Sequence, residues 1–499
     1  MNIADINKAQ EILRKDLQKS LNEHKYSKSV KLIETFSEVT RRVNNIKKDD
    51  VIEDSLRQLS LLCKSENILI EYQKRTVVFY DQIGTTVCLG VQYLRGLISA
   101  GYKVVYVYES YRAPISPELF NVITSLGIEY KLFYPSTPFF SNSCYIGKQI
   151  VDFIISIKPE IIVMHPSASD AIGMSVMYAL KDIKKYYIVP GDHHFYAGMH
   201  SADYLIEFRD FGISVSVNER KINPSKIYKL PYYPIIDELS EFIGYPIDVS
   251  DKVVFVTAGA TYKFLGSNLI YDIWKRILKY ENTVIFYMGE PGDSIKKFVK
   301  KEEFNHRFYF LGYRKDFIQC IKNADVFVNS YPYPGALVSQ TAARFSKPIV
   351  SYSEEKDFLG KNIEEMLGGY GRILTKTSLD ALYNYIDKLS TDRLYRESEG
   401  KKAKELLQTK EKFDRGLQRI LNNECKTVDY VEELEVDPVL ASAPYISQQN
   451  KWQPNIFVPL ILQYGFLFLT KFAFFYKDIL KNPFYIMKFL ALYIRRIFV

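Results

Sequence analysis

The stretch Thr76-Val77-Val78-Phe79-Tyr80-Asp81-Gln82-Ile83-Gly84-Thr85-Thr86 decides the fold class. A short β-favouring run leads into a polar turn with a glycine. Leu89, Leu94 and Leu97 then share one helical face, and Gly101 closes that helix. Val104-Val105-Tyr106-Val107-Tyr108 is the next strand. Strand, loop, helix and strand in this order predict the opening of a doubly wound parallel sheet.

Downstream the pattern continues. Ile161-Ile162-Val163-Met164 is followed by His165-Pro166-Ser167-Ala168-Ser169-Asp170, and Tyr186-Tyr187-Ile188-Val189 by Pro190-Gly191-Asp192-His193-His194. Both strands end in polar loops, where open α/β sheets hold their ligands. After the connector Tyr232 to Pro246 a second series begins. It runs from Val253-Val254-Phe255-Val256 through the small-residue loop Thr257-Ala258-Gly259-Ala260-Thr261 to a helix bearing Leu269, Ile270, Ile273, Trp274, Ile277 and Leu278. Val284 to Met288 ends at Gly289, and Phe308 to Leu311 ends at Gly312. Asp316 is placed to cap a helix Phe317 to Ala324, and Val326-Phe327-Val328 is the next strand.

Upstream, residues 1–73 contain neither Gly nor Pro and read as amphipathic helices, with Ile12, Leu13, Leu17 and Leu21, then Leu56, Leu59, Leu61 and Leu62, on apolar faces. They are expected to form a helical subdomain or a dimer surface. The expected organisation is 1–73 helical, 74–245 first α/β domain, 246–422 second α/β domain, 423–452 polar linker, and 453–499 an apolar, basic tail.

The 499 residues suffice for several cores without disulfides or structural metals. Hydrophobic residues at 47% and charged residues at 25% exclude general disorder. Cys63, Cys88, Cys144, Cys320 and Cys425 show no metal-ligand spacing and read as reduced thiols in a cytosolic setting. No signal peptide is read in Met1 to Lys25. Much of the net charge of +8 lies in the tail, where Lys471, Lys477, Lys481, Lys488, Arg495 and Arg496 face the single acid Asp478 among aromatic and apolar residues. That combination points to a membrane surface, not nucleic acid. Ile456 to Thr470 lacks charge, but Pro459, Gln463 and Gly465 interrupt it, and in-plane helices on the inner leaflet are expected over a spanning helix or a soluble packing surface.

The sharpest motif is Asn329-Ser330-Tyr331-Pro332-Tyr333-Pro334-Gly335-Ala336-Leu337-Val338-Ser339-Gln340. A strand ends, a Pro-Gly turn follows, and a helix opens with small residues. The free N–H groups of such a helix end suit a diphosphate, and a plain strand-to-helix turn is the simpler alternative. The second motif is Gly191-Asp192-His193-His194-Phe195-Tyr196-Ala197-Gly198. A histidine at a strand end can take a proton from a hydroxyl near neutral pH, while a structural hydrogen bond or a metal pair with Asp192 and His200 is the alternative. Gly84-Thr85-Thr86 is not the glycine pattern of a nicotinamide site, and no P-loop, GxSxG or HExxH occurs.

The run from Phe310-Leu311-Gly312-Tyr313, through Ala324-Asp325-Val326-Phe327-Val328 and the Pro-Gly turn, to Ser346-Lys347-Pro348-Ile349-Val350 resembles the nucleotide-sugar half of GT-B glycosyltransferases. The specific motif covers Phe310 to Val350, and the two-domain plan Thr76 to Leu421. The resemblance implies an α/β GT-B fold: two tandem Rossmann-like domains with a cleft between them, plus N-terminal helices and a C-terminal amphipathic helical tail. It implies a nucleotide-sugar site at Gly259, Thr261, Lys263, Gly289, Gly312, Arg314, Tyr331, Pro334, Gly335 and Gln340. It places His193 and His194 as catalytic candidates, and Gly84, Thr85 and His165 in the acceptor-side loops.

Many retaining members carry two glutamates flanking this turn, and the equivalent positions here are Tyr333 and Thr341. That is closer to protein-O-GlcNAc-transferase-like members. The implied activity is metal-independent transfer from a UDP-sugar to a glycan, with a lipid-linked acceptor suggested by the tail. No other cofactor is implied. A cytoplasmic enzyme peripheral to the membrane, alone or in a homo- or hetero-oligomer, is expected. A non-catalytic GT-B-like subunit, and more remotely a sugar-nucleotide epimerase, are the alternatives.

Overall fold

In the computed structural model the opening stretch lies in β1 (Gln73–Asp81), whose residues from Thr76 onward are buried. The structure describes residues 2–65, 71–85, 89–109, 114–134, 143–236, 240–264, 267–304, 306–354, 362–369, 373–428, 456–480 and 491. Thr86, Cys88, most of the linker (429–452) and the tail residues 481–490 and 492–499, with Lys481, Lys488, Arg495 and Arg496, lie outside them.

The chain divides into two compact units. The first comprises Met1–Glu207, Gly212–Lys229 and Leu417–Val499, the second Phe208–Phe211 and Leu230–Gly416. The first opens with α1 (Ile3–Asn22), α2 (Tyr26–Val43) and α3 (Asp50–Ser60). After β1 come α4 (Gly90–Ser99), β2 (Lys103–Glu109), α5 (Pro117–Ser125), β3 (Glu129–Phe133), α6 (Ser143–Ile157), β4 (Pro159–His165), α7 (Ala171–Ala179), β5 (Lys184–Ile188), β6 (Tyr204–Glu207), α8 (Asp210–Asn218) and β7 (Ile227–Lys229). The seven strands are parallel in the order β3-β2-β1-β4-β5-β6-β7. The order reverses between β1 and β4, which open α/β sheets use as the ligand-binding switch point.

The second unit contains β8 (Val253–Ala258), α9 (Leu269–Leu278), β9 (Thr283–Met288), α10 (Asp293–Lys301), β10 (Phe308–Gly312), α11 (Phe317–Lys322), β11 (Val326–Val328), α12 (Ala336–Arg344) and β12 (Ile349–Val350). α13 (Ile363–Leu367), α14 (Leu379–Thr391) and α15 (Arg393–Leu406) follow, and α16 (Lys410–Leu421) returns the chain to the first unit. Its sheet is parallel in the order β10-β9-β8-β11-β12, with the switch between β8 and β11. Each central strand is buried on both faces, which is why it reads as a continuous apolar run.

Residues 1–73 do not form a separate core: Leu13, Leu17, Phe36, Leu56 and Leu59 are buried in one cluster with Val78, Val105 and Met164 of the first sheet. Leu61 and Leu62, expected on an apolar helical face, are exposed because α3 ends at Ser60. Asp316 does not cap α11 with its side chain; the carboxylate accepts instead from Arg314 and from Ile243 N.

The described part of the tail folds as α17 (Phe457–Tyr464), α18 (Leu467–Lys471) and α19 (Tyr476–Leu480). Phe457, Leu460, Phe468, Phe472 and Phe475 are buried in the first unit's core. Tyr464 Oη and Lys471 Nζ both donate to Asp16 of α1. Among the described residues no helix is long and apolar enough to cross a membrane.

Candidate active site

In the second unit, four loops leave the carboxyl ends of β8, β9, β10 and β11. Gly289 and Gly312 form a bridge, and a Cβ on Gly289 (φ 117°) would stand 2.9 Å from the Gly259 carbonyl oxygen. Only glycine allows these loops to lie so close. Thr261 Oγ1 donates to the Glu290 carbonyl at 2.6 Å, tying the β8 loop to the β9 loop.

The turn after β11 is ordered by Asn329. Its Oδ1 accepts from Ser330 N and Gly335 N, each at 2.9 Å, and its Nδ2 donates to Ser339 Oγ at 3.1 Å. Ser330 Oγ donates to the Tyr333 carbonyl at 2.6 Å. α12 begins at Ala336 with Gly335 before it and no side-chain cap. Its first N–H groups therefore remain to be satisfied from outside the helix.

Lys263 reaches this helix end from the opposite side of the switch point. A Cβ on Gly335 would lie 3.6 Å from Lys263 Nζ and 2.6 Å from Val338 Cγ2. Lys263 is partly buried, and burial lowers the pKa of its ammonium. Among the described residues no carboxylate pairs with it. A positive group held beside a helix N-terminus without a counter-charge is fitted to an anion.

Other expected donor-site residues have different surroundings. Arg314 forms a two-point ion pair with Asp316 and donates to the Gly244 carbonyl. Gln340 is buried and donates through Nε2 to the Met366 carbonyl at 2.8 Å. Tyr331 stacks obliquely on Tyr352, with ring centroids 5.7 Å apart, and Pro334 is partly buried beside Gly335.

In the first unit, His165 ends β4 beside Asp81 of β1, across the switch point. Both are buried, with His165 Nδ1 3.0 Å from Asp81 Oδ1. Asp81 also accepts from Tyr106 Oη and from the N–H groups of Ile83 and Gly84. Hydrogen bonds from His165 and then Tyr106 outweigh desolvation and lower the Asp81 pKa. His165 therefore lies beside Gly90 at the start of α4 and holds Asp81, whose carboxylate orders the turn at Ile83 and Gly84.

The two histidines after β5 differ. The His193 side chain is 39% exposed, and its Nδ1 lies 3.0 Å from Asp192 Oδ1. His194 is partly buried against it, with ring centroids 4.0 Å apart and its Nδ1 shut off from solvent, and desolvation depresses its pKa strongly. The His193 side chain thus reaches solvent, and His194 packs against it as a neutral ring. α2 covers this region: Glu38 Oε1 accepts from Ser169 Oγ at 3.0 Å, and the rings of Phe36 and Phe195 meet edge to face. Burial lowers the nearby Lys47 to about 8.

Sequence reasoning did not find Arg220. It is buried, and Nη2 donates to the carbonyls of Asp192 at 2.7 Å and His194 at 2.8 Å. Nη1 donates to Glu207 Oε1 at 3.2 Å and Ser216 Oγ at 2.8 Å. No local signal marks an arginine in the loop after α8 for this contact. No group of three His, Cys, Asp or Glu side chains among the described residues converges as a metal site.

Two doubly wound parallel sheets in one chain, each with loops at its switch point, define the GT-B fold. The structure is similar to an O-GlcNAc transferase variant from Thermobaculum terrenum, with TM-score 0.52 and 13% identity over 83% of this chain and 78% of that one. It is also similar to a glycosyltransferase from Rickettsia africae, with TM-score 0.51 and 13% identity over 70% of this chain and 98% of that one. At such identity the likeness is one of fold. No protein-family model matches the sequence, and no curated protein matches it.

Proposed function

We propose that the chain is a glycosyltransferase that moves a sugar from a UDP-sugar to a glycan acceptor carried on a lipid. The observation that carries this reading is Lys263, an ammonium with no described carboxylate partner, beside the open N-terminus of α12. In this reading the diphosphate lies against those N–H groups with Lys263 beside it. As the bond from the anomeric carbon to the phosphate oxygen breaks, the electron pair leaves with UDP, and these groups stabilise it. The acceptor oxygen forms the new bond to the anomeric carbon and gives its proton to His193 Nε2. Asp192, beside Nδ1, favours the proton on that nitrogen, so that Nε2 is the accepting one. Lys263 and the helix end supply positive charge at the diphosphate, so the proposed transfer needs no metal.

The lipid-linked acceptor and a position peripheral to the cytoplasmic membrane are supported by the tail's exposed apolar side chains, with Phe466 57% and Leu467 60% exposed. Tyr333 and Thr341, standing where the resemblance places acids, favour a second reading as a non-catalytic GT-B-like subunit. Thr341 Oγ1 donates to the Leu337 carbonyl within α12 and brings no charge.

A thermal-shift series with UDP, GDP, CMP and TDP tests the donor site. UDP is expected to stabilise the native protein selectively, and Lys263→Met to abolish that shift while the unliganded protein stays folded. No shift with any nucleotide would overturn the donor reading. Transfer is expected to survive EDTA. UDP binding without transfer to any lipid-linked glycan would favour the non-catalytic subunit.

A further inference from the structure

Arg220 grips the loop that carries His193 at two points. One nitrogen, Nη2, donates to the carbonyls of Asp192 and His194, the residues on either side of His193. The other, Nη1, is anchored to Glu207 and to Ser216 of α8, and Ser216 Oγ itself donates to Glu207. Arg220 and Glu207 are both buried, so the grip is rigid and shielded from water. With the carbonyls of 192 and 194 held by Arg220, the His193 side chain stays 39% exposed while His194 Nδ1 is kept out of solvent. The grip also fixes the backbone of Asp192, and hence the aim of the carboxylate at His193 Nδ1.

We propose that Arg220 is the positioning residue of the proton-accepting pair, acting on His193 through the main chain of Asp192 and His194. This rests on the reading of His193 as the base. A guanidinium is suited to the task because its planar fork serves two carbonyls and an anchor at once, which a single ammonium cannot reproduce. The grip is made by chain 207–220, the segment from the end of β6 through α8, and so links the loop after β5 to its neighbour strand.

The test uses the full chain with two variants, Arg220→Lys and the double variant Arg220→Met/Glu207→Gln, which leaves no buried charge without its partner. The 15N shifts of the His193 ring report which nitrogen carries the proton. Wild type is expected to hold the proton on Nδ1, and both variants to show a mixture of tautomers. For transfer, kcat is expected to fall about a hundredfold, with KM for the UDP-sugar unchanged. A folded variant with the wild-type tautomer and kcat would overturn the proposal and leave Arg220 a fold-stabilising ion pair. Should the double variant unfold, Arg220→Lys decides by the same two readouts. The tautomer is read without substrate, so absence of UDP binding would defeat the donor reading while this test still stands.

Discussion

At the scale of single residues, two ionisable groups perturbed by burial carry opposite meanings. Lys263 has no described carboxylate partner, and in the proposed function its counter-charge arrives with the substrate. Glu53 of α3 is buried for good, accepting from Tyr178 Oη and from Gly198 N at 3.0 Å. Burial lifts its carboxyl from 4.5 to about 7, against the hydrogen bonds from Tyr178 and Gly198 and the charge of Arg57. The folded protein therefore binds this proton more tightly than the unfolded chain does. The stabilisation is complete below 4.5 and lost as pH rises through about 7. Glu53→Gln, neutral at every pH, is expected to leave stability little changed at pH 4.5. At pH 8 it should stabilise by up to about 3 kcal/mol, read as the difference in denaturant midpoint at the two pH values. Lys263 was legible in the sequence because its loop leaves a recognisable strand. Glu53 was not, since its burial depends on α7 and the β5 loop closing over it.

At the scale of elements, the tail is the instructive case. Its composition is that of a membrane-seeking segment, yet its first part covers α1 and α2. One set of side chains is inside and another outside, and the two should behave differently when changed. Phe468→Ala opens a cavity in the first unit's core and is expected to cost about 3–5 kcal/mol in a denaturation series. Phe466→Ser/Leu467→Ser touches exposed positions and is expected to leave stability within about 0.5 kcal/mol. It should nevertheless lower binding to vesicles containing phosphatidylglycerol, measured by sedimentation. Equal vesicle binding by wild type and the exposed-site variant would remove the membrane reading of this surface. Asp316 teaches the same lesson. Its position before α11 suits a cap, but Arg314, two residues away, offers a stronger charge-assisted pair, and the cap is left without it.

At the scale of the whole molecule, each unit has its own sheet and its own core, and Lys263, Asn329 and Gly335, the groups of the proposed donor site, all belong to the second. A ligand that binds one native unit stabilises that unit directly. Calorimetry is therefore expected to show that UDP raises the transition of the second unit. At a hundredfold excess over Kd the gain is about 2.7 kcal/mol. A UDP shift confined to the first unit would contradict the assignment of the donor site. Deleting residues 453–499 is expected to destabilise the first unit, because Phe457, Phe468 and Phe472 would leave its core.

The sequence by itself determined the α/β class, the position of most central strands, and the loops that hold the candidate site. These are local properties: a strand buried on both faces must read as an apolar run, and a switch-point loop must follow it with glycine and polar residues. Tertiary structure alone decided how His193 and His194 pack on one another, that Arg220 grips the loop carrying them, and that the N-terminal helices and tail join the first core. Each of these depends on contacts between residues distant in the chain. Burial, charge pairing and exposure are set by what lies across the gap, and no spacing along the sequence encodes it.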